Sequence, residues 1–414
     1  MGRLDELIQQ YCPDGVEYKP LGEVCDFRNG FAFKSNLFTD EGCPIIRITN
    51  ISENNVDMSD LKYFHMEDYP KSDLSQFAIK KGDILVAMSG ATTGKIGTYK
   101  GNITAYLNQR TGKFEPKESL NNRFLYHFLQ TQVSNMYKMA GGGAQPNLSS
   151  NDLKSKIVIP VPPLPVQEEI VRILDSFTEL QAELQAELQK RLQQYNYYRD
   201  NLLSFEGRTD VEWKKLGELG VFYGGLSGKT KDDFSNGNAK FISYKNVFYN
   251  LSLNVDTDER VKIVEGEKQN TIQYGDILFT GSSETPDECG MSSVLTQKTD
   301  EKLYLNSFCF GYRLHNPSLF CLDFLKHLFR SSELRKQIGK TASGTTRFNV
   351  SKKRFAEVSI PVPPLLVQKQ IANILDKFYA LTTDITAGLP AEIEARRKQY
   401  EYYRDQLLTF KQKA

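Results

Sequence analysis

The chain has 414 residues, with 52 Lys+Arg against 51 Asp+Glu and a formal net charge of +1. That length leaves room for two to four domains at ~150 residues each, and 40% hydrophobic with 25% charged residues describes an ordinary globular protein. A protein that is basic throughout is excluded, but local basic surfaces are not, because local potential steers a ligand.

In chain order, the first segment (RLDELIQQ, 3–10) is charged at Asp5 and Glu6 and has no apolar core, so it is not read as a signal peptide. It aligns instead with the residues after Tyr197, as the tail of a helical repeat, which predicts that the two chain ends meet. No apolar run reaches the ~18 residues needed to span a bilayer. The cysteines (12, 25, 43, 289, 309 and 321) form no CxxC pair and no zinc spacing, as expected of reduced thiols in a cytoplasmic protein.

The chain is a duplicated unit. VEYKPLGEV at 16–24 resembles VEWKKLGEL at 211–219. GDIL recurs at 82–85 and 275–278, and Tyr-Leu-Asn at 106–108 and 304–306. IPVPPLPVQ at 159–167 answers IPVPPLLVQ at 360–368. Ile170, Ile173, Leu174, Asp175 and Phe177 answer Ile371, Ile374, Leu375, Asp376 and Phe378. A period of roughly 200 residues is too long for a solenoid. Each unit divides into a globular module and a helical repeat, giving 1–160, 161–205, 206–361 and 362–414. The modules carry short β-branched runs such as Ile45–Ile48 and Ile84–Ala87, punctuated by turn residues, and one helix each, at 122–139 and 321–338. They are read as α+β.

Pro165 suits a first helical turn. From there to Leu203 no Gly or Pro intervenes, and apolar residues recur through Ile170, Phe177, Leu180, Leu184, Leu188 and Leu192 at the helical period. The helix would span roughly 58 Å at 1.5 Å per residue. Its LQAE tetrapeptide stands twice in tandem, at 180–183 and 184–187. In the second repeat the stripe passes through Ile371, Phe378 and Ile385, and Gly388 and Pro390 should interrupt the helix. The two repeats are expected to pack antiparallel as a coiled-coil spacer, with the modules in a pseudo-two-fold arrangement.

Catalytic motifs are missing. SGATTGKI at 89–96 and GGLSGKT at 224–230 fall short of a phosphate loop, because Ser89 and Tyr223 stand where its first glycine belongs. No amino-methylation tetrapeptide or nuclease carboxylate cluster stands out. His127 and His327 take equivalent places on the two module helices, where a packing or polar-face role is expected rather than catalysis. Polar and basic residues gather in the module loops: Arg28, Asn29, Lys34, Ser35, Arg47, Asn50, Ser89, Thr92, Thr93, Lys95, Asn108, Gln109, Arg110, Gln145 and Asn147 in the first, and Lys229, Lys231, Lys245, Asn246, Ser282, Ser283, Asn306 and Arg347 in the second. Between 330 and 354, Arg330, Arg335, Lys336, Lys340, Arg347, Lys352, Lys353 and Arg354 face a single acid, Glu333. Such residues neutralise phosphates, and Arg, Asn and Gln read base edges.

NGFAFKS at 29–35, IIRITNI at 45–51, GDILVAMSGATTGKIG at 82–97, YLNQR at 106–110 and the PVPPL-x-x-Q-x-x-I-x-x-I-L-D words together resemble the specificity subunit of type I restriction–modification systems, over essentially the whole chain. The resemblance implies two target-recognition domains on a helical spacer and a non-catalytic subunit that recognises a bipartite site on double-stranded DNA. It implies two methyltransferase subunits and two motor–nuclease subunits as partners. S-adenosylmethionine, ATP and magnesium would belong to those partners, with no cofactor on this chain. A protein-interaction scaffold without a DNA role and a fused enzyme are the rival readings.

Overall fold

The computed structural model describes residues 2–52, 54–141, 146–384 and 386–413. Gln145 and Ile385 lie outside the described residues. The chain forms two compact units, residues 1–183 with 393–414 and residues 184–392. The helix Leu164–Leu202 contributes its first part to one unit and its second part to the other. Helices and short strands alternate in both, the α+β composition expected.

In the first unit, strand Tyr18–Pro20 pairs antiparallel with Val158–Pro160, which brings the start of the module to its end. Between them lie a six-stranded sheet and a four-stranded sheet. Strand Ile84–Ala87 is buried on both faces. Its period-2 alternation sends Ile84 and Val86 into one core with Phe114 and Phe124, and Leu85 and Ala87 into another with Ile46 and Tyr99. The second unit repeats the end-to-end pairing and the dividing strand, on two four-stranded sheets and a three-stranded one. Glu212–Lys215 pairs with Ser359–Val362, and strand Ile277–Thr280 divides Ile277 and Phe279 from Leu278 in the same way.

The predicted module helices are each broken in two, which corrects the single spans expected. Asn122–Thr131 and Val133–Met139 are separated at Gln132, whose N–H tightens onto Leu129 O. Leu322–Leu328 and Ser332–Gly339 are separated where Ser331 turns its hydroxyl back onto Leu328 O and Arg330 leaves the helix to meet the Phe248 and Ser292 carbonyls. The long helix is continuous over 39 residues. The second repeat is interrupted as its Gly and Pro predict, into Leu365–Thr383 and Leu389–Leu407. Asp384 caps the break by accepting from Thr386 N at 2.7 Å.

Phe177 stacks on Tyr403 in the first unit and Tyr198 on Phe378 in the second, so residue numbers on the paired repeats run in opposite senses. Leu180, Leu184, Leu188 and Leu192 are half-buried along this stripe. Ile170 and Ile371 are buried deeper, in the module cores. The chain ends meet within the first unit: Val16 N donates to Lys411 O, Lys413 N to Val16 O, and the Tyr18 hydroxyl to Phe410 O.

Two joints fix each module on its helices. The first is a fully buried glutamine. Gln167 accepts from Asn121 N at 2.8 Å and donates to Ser119 O and Pro162 O at 2.9 and 2.7 Å. Gln368 does the same with Cys321 N, Leu319 O and Pro363 O. The second joint is a buried histidine. His127 Nε2 meets Asp175 and its Nδ1 meets the Tyr400 hydroxyl, both at 2.8 Å. His327 meets Asp376 at 2.7 Å and Tyr195 at 3.0 Å. An ionised carboxylate only accepts, so Nε2 carries the proton and Nδ1 accepts from the tyrosine.

Burial holds both imidazoles below their ordinary pKa, against the opposing pull of the aspartates. Burial also raises the Asp175 carboxyl, but hydrogen bonds from His127 and Arg123 outweigh it and hold the carboxyl down at about 2. The unfolded histidines take up protons below ~6.5 and the folded ones resist, so this stability is complete above ~6.5 and is lost as pH falls. The unfolding free energy from urea titration should therefore fall between pH 7 and pH 5, by up to about 1.4 kcal/mol per pH unit for each histidine. The double variant His127→Gln/His327→Gln should flatten that slope; an unchanged slope would place the titration elsewhere.

Candidate nucleic-acid interface

In the first module the candidate loops converge. The NGFAFKS loop crosses the YLNQR loop through Phe31 N to Leu107 O and Gln109 N to Phe31 O. A Cβ on Gly30 would lie 1.9 Å from Asn108 O, so the crossing requires glycine, and Gly225 repeats it at 2.1 Å from Asn306 O. The turn after Ile84–Ala87 is tied to the same place by Met88 N to Arg110 O, Gly90 N to Pro146 O and the Thr92 hydroxyl to Ile48 O. Arg110 sits at φ 64, a left-handed conformation that is strained for a non-glycine residue. The tight turn presents its side chain outward.

The candidates divide by exposure. Asn29, Lys34, Ser35, Gln109, Arg110 and Asn147 are exposed, while Arg28, Arg47, Thr92, Lys95 and Asn108 are half-buried. Arg28 pairs with Glu115 and Arg47 with Asp60. Three first-module candidates are buried, which corrects their reading as contact residues. Asn50 satisfies Arg47 N, Asp57 O and Asp60 O. Thr93 donates within its own turn to Gly90 O. Ser89 is buried beneath the turn.

In the second module Lys231, Lys245 and Arg347 are exposed and Asn306 is half-buried. Lys229 and Asn246 are corrected, while Ser282 and Ser283, though buried, lie in the wall of an open cleft. The Lys229 ammonium is buried against Glu267 at 2.6 Å. Asn246 bridges Asn254 N and Asn254 O, the same loop-holding role as Asn50. Buried Ser282 accepts from Arg347, and buried Ser283 donates to Glu288 at 3.0 Å. The basic 330–354 run is also thinner than its composition suggests. Arg330 donates to Ser292 O and Phe248 O, and Arg335 to Asp287 O and Cys289 O. Both are partly buried, which lowers their guanidinium groups to about 10, and their donors are spent on backbone carbonyls. Lys336, Lys340, Lys352, Lys353 and Arg354 remain exposed.

Sequence reading named Lys245, Ser282, Ser283 and Arg347 of the second-module site but missed its aromatic and acidic walls. An open cleft of about 540 Å³ is lined by Tyr244, Phe248, Glu284, Glu288 and Arg347, among others. Helix Tyr244–Tyr249, capped by the Ser243 hydroxyl on Asn246 N, brings the aromatics there. The three rings in YKNVFY were the available signal. Among the described residues, no group of three or more His, Cys, Asp or Glu is placed to hold a metal ion. No described helix is long and apolar enough to cross a membrane.

The family model for the type I restriction modification DNA specificity domain matches the chain twice, over residues 13–194 and 209–395. The chain belongs to the type I specificity-subunit family. It is 38% identical over 300 residues to the EcoR124I/EcoR124II specificity subunit of Escherichia coli, covering 70% of each chain. It is 30% identical over 406 residues to a putative type I specificity subunit of Haemophilus influenzae, covering 95% of this chain and 96% of that one. A structure solved in a study of type I complex assembly and conformational transition matches with a TM-score of 0.60 at 17% identity, over 96% of this chain and 98% of that one, and shares its fold. The chain is therefore a DNA sequence-specificity subunit, the non-catalytic component of a type I system.

Proposed function

We propose that this specificity subunit reads a split, asymmetric site on double-stranded DNA, one half per module, with the helical repeats setting the gap. The observation that carries the reading is the pairing of a repeated frame with divergent loops. The two glutamine joints and two histidine joints are the same in both units. The loops on that frame differ: SGATTGKIG answers SSETPDECG, and Arg110 answers Phe308. A module kept for its frame and varied at its loops suits two different half-sequences.

The partners in this reading are two methyltransferase subunits and two motor–nuclease subunits. Apolar residues at matched places support partners in pairs: Tyr197 and Tyr402, one on each repeat, are 66% and 62% exposed. S-adenosylmethionine, ATP and magnesium belong to those partners, and the assembly works in the cytoplasm, where the DNA is. Methylome sequencing of a host carrying this chain with its methyltransferase partner tests the proposal. A two-part methylated motif with a fixed unspecified gap is expected; a single contiguous motif would overturn it. Footprints of the assembled complex should likewise show two protected blocks, with affinity falling steeply as salt rises.

A further inference from the structure

We infer that Arg347 is a base-reading residue of the second module and that it recognises a guanine in that module's half-site; the inference rests on the split-site reading above. A guanidinium has five N–H donors in a planar fork. In Arg347, Nε and Nη2 each donate to the Ser282 hydroxyl oxygen, at 3.2 and 3.0 Å. Its Cζ lies over the Phe308 ring, 5.2 Å from the centroid. Two donors are thus committed, and the ring contact adds a second hold on the side chain. The end-on pair, one N–H from each Nη, has no partner among the described residues. That pair is spaced to meet O6 and N7 of guanine in the major groove.

The surroundings favour a base edge over a phosphate. Glu284 and Glu288 line the same cleft, both exposed, against one exposed lysine, Lys245. Two carboxylates beside the arginine would repel a DNA backbone, but they accept from an exocyclic amino group such as cytosine N4. Stacked Tyr244 and Phe248 give the cleft an apolar wall. The ring beneath the guanidinium also has a history in the duplication. Phe308 stands at the position of Arg110 in the first module. Where the first module has an arginine in that loop, the second has a ring on which an arginine from another loop is seated.

The test is methylome sequencing of Arg347→Ala, Arg347→Lys and Phe308→Ala, each in the full chain with its methyltransferase partner. Arg347→Ala should leave the first half-site and the gap unchanged. One guanine position of the second half-site should become degenerate, with discrimination there falling on the order of 10- to 100-fold. Arg347→Lys keeps the charge but loses the fork, so it should relax the same position. Phe308→Ala should relax it partially. If Arg347→Ala abolishes methylation, binding to duplexes substituted at each position decides: an equal loss on every sequence means a phosphate contact and overturns the inference. An unchanged motif, or a second half-site without guanine on either strand, also overturns it. A wild-type methylome without a two-part motif would instead sink the split-site reading itself.

Discussion

Deleting one LQAE tetrapeptide should shorten the gap between the two half-sites and leave both half-sequences as they are. Four residues of helix amount to ~6 Å of length, against about 3.4 Å for each base pair of DNA, so the expected change is one to two base pairs. The helix tolerates the cut because the two copies are identical. Removing 180–183 brings another leucine to the same point of the stripe, and Leu184, Leu188 and Leu192 keep their four-residue spacing. The deletion also turns the downstream helix by roughly 40°, since four residues exceed one turn. The interrupted segment after Thr383 gives the second repeat a place to absorb that mismatch. Motif sequencing of the deletion variant is the check. A variant whose half-sequences changed while the gap stayed constant would assign base reading to the helix and spacing to the modules.

Gln368→Leu should destabilise the second unit by about 3–4 kcal/mol, and Gln167→Leu the first by a similar amount. Leucine fills the space but leaves three backbone groups without partners, each costing ~1–3 kcal/mol when buried. Glutamate does no better, because a carboxylate cannot donate to the two carbonyls. The chain reports on its own halves, since Trp213 is its single tryptophan and packs in the second core. Urea unfolding followed by tryptophan emission should shift to lower midpoint for Gln368→Leu and much less for Gln167→Leu, whose loss appears in far-UV circular dichroism. Unfolding free energies within about 0.5 kcal/mol of the parent, the range of ordinary surface changes, would show that the glutamines are dispensable.

The architecture was largely readable from sequence because duplication prints it twice. The words that recur, VPPL-x-V-Q, I-L-D and the tyrosines, are the residues that make the joints: Gln167, Asp175 and Tyr400, with Gln368, Asp376 and Tyr195. Their roles were less legible. His127 read as a packing residue because its partners stand 48 and 273 positions away, beyond any local periodicity. The interface was legible only as a set of loops. Composition cannot separate an asparagine that folds its loop, as Asn50 and Asn246 do, from one that faces solvent, as Asn29 does. The same blindness made Arg330 and Arg335 look like surface charge, when backbone carbonyls distant in sequence hold them.

The meeting of the chain ends also sets an order of assembly on the ribosome. The second unit is one continuous stretch, 184–392, whereas the first needs 393–414 to complete it. The second unit can therefore close while the first still waits for Tyr400 to reach His127 and for Leu408 to enter its core. A nascent first module exposes that apolar seam for the time taken to translate some two hundred residues, roughly 10–40 s at 5–20 residues per second. A premature stop after residue 392 would thus damage the module made first and spare the one made last.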